Sequence, residues 1–243
     1  KFNIPPHGCA DIIFTIGNVA DYVNKSITMR SHCSYFVGPM NTYTELVAYT
    51  ESIHILGVRF RPCRLSKFIE LPLSELVNQK LCTSDLPTIF GHTFAEMICE
   101  KVDTKQRIEA IEECLVKQLI YSNRSCDKQI VSAVNRIIQG KGIISIKRLS
   151  SDICLCQRHF ERKFRIYTGY SPKEYSQIVK FWNAIEILRK YNPFDNLLSI
   201  AVEAGYYDVP HLSKEVKRLS GNSPYAFLSS PVGNEAKVIH IEY

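Results

Sequence analysis

Two stretches of this 243-residue chain, FERKFRIYTGYSPKEY at 160–175 and LSKEVKRLSGNSPYAF at 212–227, are versions of one pattern. Phe160 matches Leu212, Phe164 matches Val216 and Tyr167 matches Leu219. The stops match as well: Gly169 with Gly221, Ser171-Pro172 with Ser223-Pro224, and Tyr175 with Phe227. Upstream the offset shortens by one, pairing Leu149-Ser150 with Ile200-Ala201 and Cys154 with Gly205, so the second copy carries one extra residue in its turn. A repeated pattern means that one supersecondary unit is built twice. A short helix, a tight turn and a longer helix make a helix-turn-helix. Two plain helical hairpins would share the apolar pattern, so the placement of charge has to separate the readings.

On a helix advancing about 100° per residue, with Arg158 at zero, Arg162 falls at about 40° and Arg165 at about 340°. Phe164, Phe160 and Tyr167 fall at about 240°, 200° and 180° on the same wheel. Three arginines thus oppose three aromatics, which anchor the helix and leave the guanidinium groups outward. In the second copy Lys214 and Lys217 take the places of Arg162 and Arg165, and Pro210 replaces Arg158, so the basic stripe recurs but is thinner. A helix fits the major groove, where guanine O6 and N7 suit a bidentate guanidinium and cytosine N4 a carboxylate such as Glu161. Glu161 serves equally as a salt-bridge partner. Arg165 and Lys217, one turn further on, suit phosphates, which fix register without reading sequence. His159 and His211 lie off the row, nearer phosphate or solvent than a base edge.

The rest of the chain divides by periodicity. ADIIFTIGNV (10–19), YTELVAY (43–49) and SIHILGVRF (52–60) read as strands, short, β-branched and aromatic. SKFIELPLSELVNQKL (66–81), punctuated by Pro72, and TKQRIEAIEECLVKQLIY (104–121), with Ile108, Ile111, Leu115 and Leu119 and Thr104 as N-cap, read as helical. YSNRSCD (121–127) reads as a linker. Beyond it every segment is helical: Ile130, Val134 and Ile137 before Gly140 and Gly142; Ile146, Leu149 and Ile153; the Phe160 helix; a long helix with Ile178, Trp182, Ile185 and Leu188 on one face, stopping before Asn192-Pro193; and three short segments from Leu197 to about Ser229. The expected fold class is α+β: a small β-barrel-like first domain with helices (1–122), then an all-α domain (127–230) of two helix-turn-helix units joined by a long helix.

Charge follows this division. Residues 1–126 hold 13 Lys/Arg and 13 Asp/Glu, whereas residues 127–230 hold 16 Lys/Arg and 9 Asp/Glu. A basic module beside a neutral one suits a polyanion partner, though a solvated basic face has the same count. Nine cysteines form an odd set with no CxxC pair, which points to a reducing, cytoplasmic setting in which Cys packs as a small hydrophobe. No apolar run approaches the roughly 20 residues of a membrane helix. KFNIPPHGCADIIF has no signal-peptide form and begins without Met, so residues preceding Lys1 are expected. His7, His32, His54 and His92 are too scattered for a metal set, and no nucleophile elbow, zinc-protease motif or phosphate loop occurs. Neither an enzyme nor a cofactor is expected.

The motif from Cys156 to Tyr175, CxRxFxRxFxxxTGxSPxxY, and that from Ile200 to Phe227, IAxxAGYxDxxHLSxxVKRxxGxSPxxF, resemble the AraC/XylS family of bacterial transcription regulators over about residues 127–228. The resemblance implies two recognition helices, at about 156–168 and 209–220, entering successive major-groove segments and joined by a linker helix from Pro172 to about Tyr191. Carried onto this sequence, it implies Arg158, Glu161 and Arg162 as base readers in the first unit, and Val209, His211 and Lys214 in the second. With Gln157 and His159 at the start of the first helix and the phosphate candidates Arg165 and Lys217, these form the expected DNA-binding set. Departures are Cys156 for a usual Ser, where it would cap weakly, Val216 for an aromatic, and Lys214 for Arg, so the first unit is expected to supply most of the specificity.

Gly8-Cys9 with the Asp11–Phe14 run, GVRFRP at 57–62 and LSELVNQ at 73–79 resemble a small cupin-like domain fused to such regulators, which implies effector binding or dimerisation. Arg59 and Arg61, on one face of a strand, would reach an anionic effector or simply line a solvated face, the plainer reading. The expected partners are double-stranded promoter DNA, and beyond it RNA polymerase and an unidentified small-molecule effector, with monomer and homodimer both open. Two other readings stand beside this one: a thiol-responsive regulator using Cys154 and Cys156, and an interaction module that does not touch DNA.

Overall fold

The computed structural model describes residues 2–16, 27–47, 54–86, 92–122, 124–190 and 196–228. Its first half holds strands β1 (Phe2–Ile4), β2 (Ala10–Thr15), β3 (Ser34–Val37), β4 (Thr44–Leu46), β5 (Ile55–Phe60) and β6 (Lys80–Cys82). β2, five of whose six residues are buried, lies inside an antiparallel sheet of order β5-β2-β3-β6, while β1 pairs with β4. Successive side chains of a strand point to opposite faces, and here both faces of β2 are covered. Ile12 and Phe14 join a cluster with Phe36, Phe60, Leu65, Ile69 and Leu73; Ile13 joins another with Met29, Tyr35, Met40 and Leu46. β5 at the sheet edge alternates instead, exposing Ile55, Gly57 and Arg59. Opposite Arg59 in register stands Asp11, and the two form a bidentate pair at 2.9 and 2.8 Å. That pair occupies the guanidinium considered above for an anionic effector.

Helices α1 (His92–Glu100) and α2 (Thr104–Tyr121) cover the Ile12/Phe14 face through Ala95, Ile98 and Ile111. The N-cap of α2 is Asp103, whose carboxylate accepts from the Gln106 N–H at 2.8 Å, and Thr104 is the first helical residue. The expected helix at 66–81 is not formed. Short 3-10 turns at Arg64–Lys67 and Leu73–Glu75 lead into β6. Leu65, Ile69, Leu73 and Leu76 do bury toward one core at helix-like spacing, but Pro72 has no N–H to continue a helical ladder and breaks it. The strands β1, β3 and β6 and the helix α1 have too few periodic residues to stand out in the sequence. The ends of the expected strands at 17–19, 48–49 and 52–53, and the stop at Asn192-Pro193, lie outside the described residues.

The second half, among the described residues, is α3 (Lys128–Gln139), α4 (Ile146–Asp152), α5 (Gln157–Thr168), α6 (Pro172–Arg189), α7 (Leu197–Glu203), α8 (Val209–Ser220) and α9 (Tyr225–Leu228). The connection before α3 is no loose tether: Cys126 is buried with its thiol 3.2 Å from the Cys63 carbonyl, and Asp127 caps α3. α6 opens with a capping box, Ser171 and Glu174 bonding each other's backbone, with Pro172 in the first turn. It forms the spine of the helical core, burying Tyr175, Ile178, Phe181, Ala184, Ile185 and Leu188. Trp182, expected on the buried face, is only partly covered; its indole N–H donates to the Pro6 carbonyl at 2.8 Å, and His7 stacks on it at 4.2 Å.

Candidate nucleic-acid interface

The repeat in the sequence is a repeat in space, α4–α5 against α7–α8, down to single hydrogen bonds. In the first turn the N–H groups of Ile153, Cys154 and Leu155 donate to Leu149, Ser151 and Ser150; in the second, those of Ala204, Gly205 and Tyr206 donate to Ile200, Val202 and Ala201. The matched bonding identifies Tyr207 as the extra residue, and it is 87% exposed. At the other end of each longer helix, Thr168 and Ser220 hydroxyls donate to Phe164 and Val216 at 2.7 Å and accept from the N–H of Tyr170 and Asn222 at 3.1 Å. Gly169 (φ 82°) and Gly221 (φ 75°) end both helices left-handed.

The first turn departs from this ideal twice. Cys154 adopts φ 56° where the second copy has Gly205 at φ 81°, a conformation costing roughly 1–2 kcal/mol for a residue with Cβ. Cys156 sits at the N-cap of α5 without a side-chain cap bond, in contrast to Asp208, which accepts from the His211 N–H at 2.7 Å. The weak capping expected of Cys156 is therefore not seen, a thiol being a poor acceptor at this position. Cys154→Gly and Cys156→Ser are each expected to stabilise the chain by about 1 kcal/mol. Both are read in chemical unfolding, where unchanged midpoints would show the turn to be already relaxed.

α5 divides as its periodicity predicts. Phe160 and Phe164 are fully buried, packed edge-on at 5.6 Å, while Tyr167 is half-buried. Arg158, Arg162 and Arg165 are exposed in a row, with Gln157 exposed at the start of the helix. Four candidates partner one another in two pairs: Glu161 accepts from the Gln157 amide at 2.9 Å, and Arg162 lies 3.4 Å from His159 Nδ1. On α8, His211, Lys214 and Lys217 are exposed, and Val209 packs partly against the core. The His211 ring stands edge-on to Tyr206 at 5.3 Å. Arg218, beside Lys217, turns to Glu215 at 2.8 Å.

Other residues of the site escaped the sequence reading. Lys163, on the side of α5, bonds Asp127 at the N-terminus of α3 at 2.5 Å. Burial alone would raise that carboxyl, but Lys163 and the N–H groups of Ile130 and Gln129 more than offset it and hold it below the usual range. Lys147 and Arg148 stand exposed in the first turn of α4, where the second unit has Leu198 and Ser199. The offset of 51 would have exposed this asymmetry. Among the described residues no group of His, Cys, Asp and Glu is placed to hold a metal ion, and no helix is long and apolar enough to cross a membrane.

Two helix-turn-helix units on one chain, each with an exposed basic face and joined by an 18-residue helix, define a double helix-turn-helix module. Residues 149–230 match the family model of a helix-turn-helix domain of the AraC type, and residues 1–82 match a domain of unknown function (DUF6597). No curated protein matches the chain in sequence. Among solved structures it is similar to ToxT from Vibrio cholerae, with a TM-score of 0.53 at 10% identity, covering 93% of this chain and 92% of that one. It is also similar to the C-terminal domain of AraT from Geobacillus stearothermophilus, with a TM-score of 0.40 at 16% identity, covering 47% and 94%. The ToxT likeness spans both halves and shows the fold.

Proposed function

We propose that this protein is a sequence-specific transcription regulator of the cytoplasm that inserts α5 and α8 into successive major-groove segments of promoter DNA. The observation that carries the proposal is the sorting on α5: Phe160 and Phe164 are buried, Tyr167 half-buried, and its arginines stand outward together, on a helix whose partner unit repeats the arrangement. Arg158, Arg162 and Glu161 are the proposed base readers, with Gln157 and His159 at the helix entry. Arg165 and Lys217 are proposed phosphate ligands, with Lys147 and Arg148 beside them. Val209, His211 and Lys214 read more weakly, since Val209 is partly spent on packing. The first half is proposed to receive an effector or a second copy, and RNA polymerase is a further proposed partner.

Selection of bound duplexes from a random library tests the reading. Two short boxes centred about 10–10.5 base pairs apart are expected; a library with no enrichment would sink it. Arg162→Ala is expected to relax choice at one base pair at a cost of about 1–3 kcal/mol. Lys217→Ala is expected to weaken all sequences alike and to flatten the dependence of affinity on salt. Were both variants to lose affinity uniformly, the chain would hold DNA by charge alone.

A further inference from the structure

The first half of the chain touches the two units at equivalent places. Pro39 lies against Gly169 so closely that a Cβ there would come within 2.7 Å of the proline ring, and the buried Tyr170 hydroxyl donates to the Met40 carbonyl at 2.9 Å. Two residues further along, the Thr42 hydroxyl donates to the Arg218 carbonyl at 3.1 Å, and the Arg218 guanidinium lies 3.5 Å from the Asn41 carbonyl. Tyr43 then lies against Gly221, where a Cβ would meet its ring at 2.9 Å. Asn3, on β1 beside β4, donates to the Ser220 carbonyl at 3.1 Å. Gly169 and Gly221 are the same position of the repeat, the left-handed end of each basic helix.

Five consecutive residues, 39–43, therefore bridge the ends of α5 and α8. A segment of four Cα steps spans at most about 14 Å, and both of its ends are tied to the sheets through β3 and β4. Ordinary packing between halves of a chain would touch whatever surface came to hand. Contact at the matched glycines of both units ties the ends of the two helices to one short segment, beside which the first turns of α6 also lie through Glu174, Gln177 and Ile178.

We infer that the segment Pro39–Tyr43 is a brace that sets the spacing of the two recognition helices, and through it the spacing between half-sites that the protein accepts. This rests on the proposed DNA-binding reading and adds to it a specificity determinant outside the helix-turn-helix units. Its residues are positioning residues, since none lies on the basic faces.

The test is the double variant Thr42→Ala with Tyr170→Phe, which removes one hydroxyl at each unit with little change of volume. Should it fail to fold, Thr42→Ala with Asn3→Ala takes its place. In the full-length protein without DNA, bioorthogonal spin labels at Ile166 and Lys217 report the distance between α5 and α8. The variant is expected to broaden that distribution, and an unchanged distribution overturns the brace. Binding to duplexes whose boxes are moved apart by one base pair is expected to fall about tenfold in the parent and about twofold or less in the variant. Ile98→Val, which loosens the first half's core away from the segment, is expected to leave this spacing preference intact. A broadened distance with an unaltered spacing preference overturns the proposal. A broadened distance in a protein whose parent binds no duplex selectively overturns instead the DNA-binding reading beneath it.

Discussion

Phe164→Ala is expected to lower the stability of the chain by about 3–5 kcal/mol and to abolish the DNA contact proposed for the first unit. The ring is fully buried, within 5.6 Å of Phe160 and 5.8 Å of Tyr175, on the α5 face directly opposed to the arginine row. Truncation removes the transfer energy of a phenyl group and leaves a cavity among residues held by α6, which is itself pinned by its capping box and cannot easily collapse inward. Arg158, Arg162 and Arg165 keep their charge in the variant but lose the anchor that lines them up. Chemical denaturation reads the first effect and duplex binding under native conditions the second. A loss of stability below about 1 kcal/mol would mean that Phe164 is not part of a close-packed core.

Acid is expected to unfold the protein through His7. Burial, and secondarily the Arg59 guanidinium, lowers its pKa from 6.5 to about 3 in the folded chain. The imidazole is therefore neutral when folded and takes up a proton on unfolding at any pH between those values. Because the unfolded state binds the extra proton, the contribution is complete above pH 6.5 and declines as pH falls toward 3, by about 1.4 kcal/mol per unit. Glu174 and Glu215, both held below their usual range, add acid sensitivity of their own, so the test is a difference. His7→Phe keeps an aromatic ring on Trp182 and cannot titrate. Its stability is expected to depend less steeply on pH between 6 and 4 than the parent's, by about 1 kcal/mol per unit or more. Parallel profiles would show that His7 is protonated, or solvated, in the folded state.

Phe164 and His7 owe their environments to different parts of the chain. Phe164 was legible as a core residue from the sequence, because a helix turns any regular spacing of apolar residues into a face, and its neighbours on that face lie three and four residues away. In the sequence His7 is only one of four scattered histidines. Nothing local to KFNIPPHG marks it as a residue stacked on Trp182, 175 positions further along the chain. The same division explains why no helix forms at 66–81: Leu65, Ile69, Leu73 and Leu76 have helical spacing and share a core, yet Pro72 lets the chain meet that spacing only with separate turns.

The sequence by itself determined the duplicated unit, its helices and their stops, the one-residue difference between turns, and the outward row of Arg158, Arg162 and Arg165. Each of these is carried by side chains within a few turns of one another, where period, cap and break are local chemistry. Only the tertiary structure decided that Lys163 is engaged by Asp127, that Cys63 from the first half completes the helical core, that Arg59 is neutralised by Asp11, and that residues 39–43 meet both units at matched points. Those contacts join residues distant along the chain. Their energy comes from shape and charge met across a packed interface, and a one-dimensional pattern holds no record of which distant surfaces will meet.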